Sequence, residues 1–259
     1  MQKKLSILNL LSVILVIAVN YISQAVRIND TTIGELSQRY TNLFTPASYA
    51  FAIWGLIFLG LLAYSLYQIK VVVFDKKDLA YIEQTGYWFA LANVLNGLWV
   101  ITFAYEYMGL TVIIMAGILF SLIKIIINTN MERWDAPKEI IAFSWWPICL
   151  YSGWITVATI ANIALYLTKI GWNGGFLTEV QWTIVLMLVA TLINLVIVYK
   201  RSMREFAAVG VWALFAIYIR HQGSIEILAY TALACSAILL SVILVHGYSN
   251  RKSNPFFKL

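Results

Sequence analysis

The chain alternates between long, unbroken apolar runs and short polar breaks. The first run covers residues 5–23. After a polar stretch over 27–45, others follow at about 47–69, 81–105, 109–127, 140–167, 180–199, 206–219 and 225–247. Apolar runs of roughly 16–23 residues suit helices that cross a bilayer, whereas a membrane barrel would show alternating segments of about ten. The pattern predicts an all-α polytopic membrane protein with eight spans, the seventh the shortest. Composition agrees: 61% of residues are apolar and 12% charged, about half the charged share of a soluble domain.

Charge orients the helices. With a cytoplasmic N-terminus, the inner segments hold Lys3, Lys4, Lys70, Lys76, Lys77, Lys124, Arg133, Lys138, Lys200, Arg201, Arg204, Arg251, Lys252 and Lys258. The outer segments hold only Arg27, Arg39, Lys169 and Arg220. Such a bias predicts N-in and C-in topology, with the plasma (inner) membrane the expected location. The net charge of +6 is therefore topological and implies no nucleic acid. Ser23-Gln24-Ala25 has small-x-small spacing, but the first run is long for a signal segment, and Ser12 and Asn20 suit a packed first helix.

The span centres carry no Asp, Glu, Lys or Arg, which argues against a proton relay and against acid–base hydrolysis. His221 and His246 read as interface residues near span ends. Cys149 and Cys235 lie within apolar runs and read as small buried hydrophobes, with no metal-ligand spacing. Trp88, Trp134, Trp145, Trp172 and Trp182 suit membrane belts or loops, while Trp146 and Trp212 have no assigned place.

The informative polar groups lie elsewhere. In the fifth run, YSGWITVATIAN, helical spacing puts Trp154, Ala158 and Asn162 on one stripe, with Tyr151 a turn earlier. A carboxamide in hydrocarbon needs a partner, so this face should look into the protein. Span two opens with TPASYAFAIWGLIF, placing Tyr49, Phe51 and Trp54 toward the outer leaflet. Span three carries Asn93, Asn96 and Trp99, the last two one turn apart. Asn in a span is also simply an interhelical hydrogen bond, and composition alone leaves a ligand pocket an open question.

At these stretches the chain resembles the TspO/MBR family, the tryptophan-rich sensory and translocator proteins. That family's second helix begins T-P-P-x-W-V-F-G-x-V-W. Here Thr45-Pro46-Ala47-Ser48-Tyr49-Ala50-Phe51-Ala52-Ile53-Trp54 stands in its place, with Ala47 for the second Pro and Tyr49 for the first Trp. The third-helix N-x-x-W is matched by Asn96 and Trp99. The fifth-helix Y-x-x-W-x-x-x-A-x-x-x-N is matched by Tyr151, Trp154, Ala158 and Asn162.

The resemblance implies a five-helix bundle over residues 1–170, followed by three additional transmembrane helices over 171–259. It implies a membrane-embedded sensor, binding protein or carrier for hydrophobic ligands, porphyrin (tetrapyrrole) or sterol-like. Its pocket would lie between helices 2, 3 and 5. Trp54 and Trp154 would line it, with Tyr49, Phe51, Asn96, Trp99, Tyr151, Ala158 and Asn162 around them. No cofactor or metal is required. The lipid bilayer, a hydrophobic small molecule and a second copy are the implied partners. Light-dependent porphyrin degradation would follow from an oxidisable Trp against the macrocycle. Ala47 is expected to loosen the loop over the pocket. The three added helices could pack on a flank, cover the dimer surface or serve another function. A small-solute permease or transporter subunit is the main alternative, ahead of a lipid- or pigment-modifying enzyme and a structural partner of another membrane protein.

Overall fold

Inside a bilayer a backbone must satisfy its own hydrogen bonds, and helices do so within one segment. In the computed structural model, residues 1–40 and 42–251 are described, and their regular elements are helical. Thr41 and residues 252–259, with Lys252 and Lys258 of the charge count, lie outside the described residues. In order, the helices are α1 (Gln2–Val26), α2 (Ile33–Arg39), α3 (Ile53–Ile69), α4 (Ala80–Thr85), α5 (Trp88–Ala104), α6 (Met108–Asn128), α7 (Lys138–Ile140), α8 (Trp146–Lys169), α9 (Glu179–Arg201), α10 (Arg204–His221) and α11 (Glu226–Ser249). A 3-10 turn, Ser48–Ala52, leads into α3, and a π turn, Ile141–Trp145, joins α7 to α8. The π turn has a physical cause. Pro147 has no N–H to donate and its ring would crowd the preceding turn, and widening that turn accommodates both.

Six helical stretches are long and apolar enough to cross a membrane: Gln2–Val26, Ser48–Phe74, Met108–Asn128, Lys138–Lys169, Glu179–Arg201 and Glu226–Ser249. The protein is thus a polytopic membrane protein. The other two apolar runs differ from the expected plain spans. Run 81–105 is broken at Gly86, where φ is +56°, into α4 and a 17-residue α5 about 26 Å long. The α10 helix has 18 residues and carries Arg204, Glu205 and Arg220 near its ends.

The helices α1, α3, α5, α6 and α8 form one bundle, and α10 packs against α8 with α9 and α11 beside it. Small residues set the approach. A Cβ on Gly153 would lie 2.8 Å from the Phe206 carbonyl oxygen, and one on Gly210 2.7 Å from Asn194 Oδ1. Amides join α1 to its neighbours: Asn93 Nδ2 donates to Ser12 Oγ (3.0 Å) and Asn9 Nδ2 to Gln68 Oε1 (2.9 Å).

At the end opposite the Lys/Arg-rich one, here called outer, the few cations are all engaged. Arg27 pairs with Glu35 (2.7 Å), and Arg39 (2.8 Å) and Lys169 (3.5 Å) both reach Glu106. Tyr40 also donates to Glu106. The Tyr40 hydroxyl, followed by Lys169 and Arg39, holds the Glu106 carboxyl below the usual range, with partial burial opposing. This group ties the end of α2 to the α5–α6 turn and the end of α8.

Gly153→Val is expected to force α8 and α10 apart and destabilise the protein by about 1–3 kcal/mol in detergent unfolding. Glu106→Gln is expected to cost about 1 kcal/mol at neutral pH. Because the folded carboxyl is the stronger acid, this difference holds above its unfolded pKa and vanishes as pH falls through the folded value. Unfolding curves of both proteins measured from neutral to acid pH check it.

Candidate functional site

The sequence TPASYAF cannot begin a helix at Thr45, because Pro46 favours extended backbone before it and gives no N–H. The chain instead runs irregularly to Ala47 and tightens into the 3-10 turn before α3. That entry directs Phe51 and Trp54 at α8, where Tyr151 and Trp154 lie one turn apart. Trp54 and Trp154 meet edge to face, with ring centroids 6.4 Å apart and planes at 85°. Phe51 meets Trp154 in the same manner at 6.1 Å. The Trp54 ring also contacts Tyr151 at 6.2 Å and stacks on Phe58 at 5.2 Å.

A third indole closes the group. Trp99 Nε1 donates to Asn162 Oδ1 at 3.1 Å, and Asn162 Nδ2 donates to Thr111 Oγ1 at 3.0 Å. This chain joins α5, α8 and α6. Behind it, Asn96 Nδ2 donates to the Tyr151 hydroxyl at 3.1 Å, and Asn20 Nδ2 to Asn96 Oδ1 at 3.3 Å. In both carboxamides the nitrogen and the oxygen therefore already have protein partners. They fix the helices and the indole, leaving the rings as the surface a ligand would meet.

Phe51, Trp54, Trp99, Trp154, Ala158 and Asn162 surround a cavity of about 60 Å³, enough for one or two waters. Phe51, Trp54 and Trp99 also form one wall of a larger groove, about 460 Å³, which Asn20, Tyr21 and Ile33 help to bound on the α1 and α2 side. The same rings thus separate a small inner space from a ligand-sized one. Of the other sequence candidates, Asn96 and Tyr151 sit behind the wall, buried in helix contacts. Tyr49 turns away from the cavity, 39% exposed, and packs edge-on against Trp212 of α10 at 5.3 Å. Met115, Phe103, Val157, Ala161 and Leu165 also line the inner cavity. As ordinary apolar residues, they carry no signal in sequence that separates them from packing.

The loop over this site is fastened, contrary to the looseness expected from Ala47. Its N–H donates to the Ala216 carbonyl at 3.1 Å, a bond that proline could not make. Trp212 Nε1 donates to Ala50 O (3.0 Å). Arg220 Nη1 donates to Asn42 O (3.1 Å) and Thr45 O (2.6 Å), and His221 Nε2 bonds Leu43 O (2.7 Å). Four residues along α10 therefore serve the irregular stretch 42–50. Trp212 has a place after all, and His221 is a buried clasp.

The belt assignment also fails for Trp145, which is 3% exposed and meets Trp134 at 5.5 Å. The π turn rotates it inward.

The sequence profile of a family described as TSPO-like protein matches residues 6–245, a range that runs through the first bundle and most of the three later helices. Neither the curated proteins nor the solved structures give a match.

Ala47 has φ −55° and ψ 146°, angles proline accepts, so Ala47→Pro isolates the lost bond to Ala216. Trp212→Phe likewise removes the donor to Ala50 while keeping a ring against Tyr49. Each is expected to weaken the fastening by about 1 kcal/mol. Limited proteolysis within residues 42–50 should then run about fivefold faster, and unchanged cleavage would contradict the clasp.

Proposed function

The chain belongs to the TSPO-like protein family, and from that premise we propose that its outer site binds a flat hydrophobic ligand of the tetrapyrrole class, as a membrane-embedded sensor or carrier. The observation that carries this reading is the meeting of Trp54 and Trp154 across α3 and α8, with Trp99, fixed by Asn162, lining the same cavity. Indole faces stack on flat conjugated rings, and an enclosed apolar space lined by few polar groups favours such ligands over polar solutes.

Size decides where the ligand sits. The inner cavity of about 60 Å³ is far too small, whereas sites for small molecules span about 300–1,000 Å³. The groove of about 460 Å³ between α1, α2, α3 and α5 lies within that range. The ligand therefore enters the groove and stacks on the partition of Phe51, Trp54 and Trp99. A turn of the Trp54 ring would join the two spaces and let part of the ligand reach Trp154. Sterol-like ligands fit the same apolar walls but gain less from indole stacking.

Tryptophan fluorescence of the purified protein is expected to quench saturably with protoporphyrin. Trp54→Phe should weaken that binding about three- to tenfold, the worth of one indole contact. Trp172→Phe, outside the site, should leave the affinity unchanged. Linear, non-saturating quenching, equal in all three proteins, would overturn the proposal.

A further inference from the structure

A second, larger cavity lies at the opposite, Lys/Arg-rich end. It measures about 780 Å³ and is bounded by the α6–α7 loop, the start of α8, and the facing ends of α10 and α11. No part of it belongs to the indole site.

Three donors from separate parts of the chain converge beside it. Glu132 lies in the α6–α7 loop, Cys149 on α8 and Glu205 in the first turn of α10. One carboxylate oxygen from each Glu and the Cys149 sulfur lie within 4.8 Å of one another. Cys149 is fully buried and not in a disulfide. No ion pair within 4.0 Å joins either carboxylate to a cation among the described residues. Two carboxylates and a thiol brought together in a partly buried place repel one another once ionised, unless a positive group holds them.

A second feature of the cavity wall is independent of that cluster. His246, half-buried, lines the cavity, and its Nδ1 has no hydrogen-bond partner among the described residues. Arg204 forms no ion pair within 4.0 Å with either acid, although its charge partly offsets the effect of burial on Glu132. Its guanidinium lies along α11, where a Cβ on Gly247 would approach Nη1 to 2.9 Å, and its Nε is buried without a partner.

We propose that Glu132, Cys149 and Glu205 form a binding site for a divalent transition-metal ion of the zinc type. The donor set selects the ion. Zinc takes cysteine sulfur at about 2.3 Å and carboxylate oxygen at about 2.0–2.2 Å, in tetrahedral sites. Calcium and magnesium prefer all-oxygen shells and gain little from a thiolate. Closing the 4.8 Å triangle onto an ion requires a shift of about 1 Å, which the Glu132 loop is placed to supply. A bound ion would pin the α6–α7 loop to α8 and α10, fastening the inner end of the added helices to the first bundle. The site stands apart from the outer ligand reading, and neither depends on the other.

The full-length protein in detergent, stripped with a chelator and given Zn²⁺ alone, is expected to bind one equivalent in competition with a chromophoric chelator. Cys149→Ser and Glu205→Gln should each weaken binding about tenfold or more. Co²⁺ added to the unmodified protein is expected to give a near-ultraviolet sulfur-to-cobalt charge-transfer band, which reports thiolate ligation even if a variant folds poorly. A Co²⁺ complex without that band, no Zn²⁺ bound above a buffer control, or Zn²⁺ bound equally by both variants would overturn the proposal.

Discussion

Non-helical backbone survives within a membrane protein only where other parts of the protein take up its hydrogen bonds. Here that constraint falls on the stretch 42–50. Pro46 keeps it out of the helix that follows, and its carbonyls and amides would otherwise face an apolar surround. One element meets most of the demand. Ala216, Trp212, Arg220 and His221 of α10 bond Ala47, Ala50, Asn42, Thr45 and Leu43 in succession. The last three helices are therefore more than a flank, because the loop above the indole cluster is held by one of them.

This arrangement gives the departure from the double-proline pattern a physical reason. A proline restricts a loop through its own ring and lowers the entropy of the unfolded chain. An alanine at 47 gives up that restriction but keeps an N–H, which Ala216 uses. The loop is held here by a partner helix and not by covalent stiffness at position 47. Access to the 460 Å³ groove is thereby linked to how firmly α10 sits on α8, and that contact depends on the bare backbone at Gly153.

Much of this was legible in the sequence where a period or a charge count carries the signal. Apolar run lengths gave the helices, and the spacing of Tyr151, Trp154, Ala158 and Asn162 gave an inward stripe. The partners on that stripe were harder to read. Trp99 and Asn162 are far apart in the chain, and only packing shows that one bonds the other. The shortness of the seventh run was legible, but the sequence does not say why α10 is short and charged at its ends. Enclosure explains it, because its C-terminal polar residues, Arg220 and His221, serve the loop. Gly86 was visible, yet only its positive φ shows that it divides a run into two helices. Glu132, Cys149 and Glu205 share no spacing, and tertiary folding alone brings them together. Burial, with the Glu205 charge adding to it, pushes the Glu132 carboxyl up to about 8. A sequence free of charge at its span centres thus still folds into a protein with a titratable inner end.

The central claim is that α10 holds the irregular loop closed over the paired indoles, and amide hydrogen exchange of the unmodified protein in lipid nanodiscs tests it most directly. If the claim holds, peptides covering residues 42–52 exchange as slowly as those covering the outer end of α10, and both open together. Exchange of that stretch within seconds, while α10 remains protected, would contradict it.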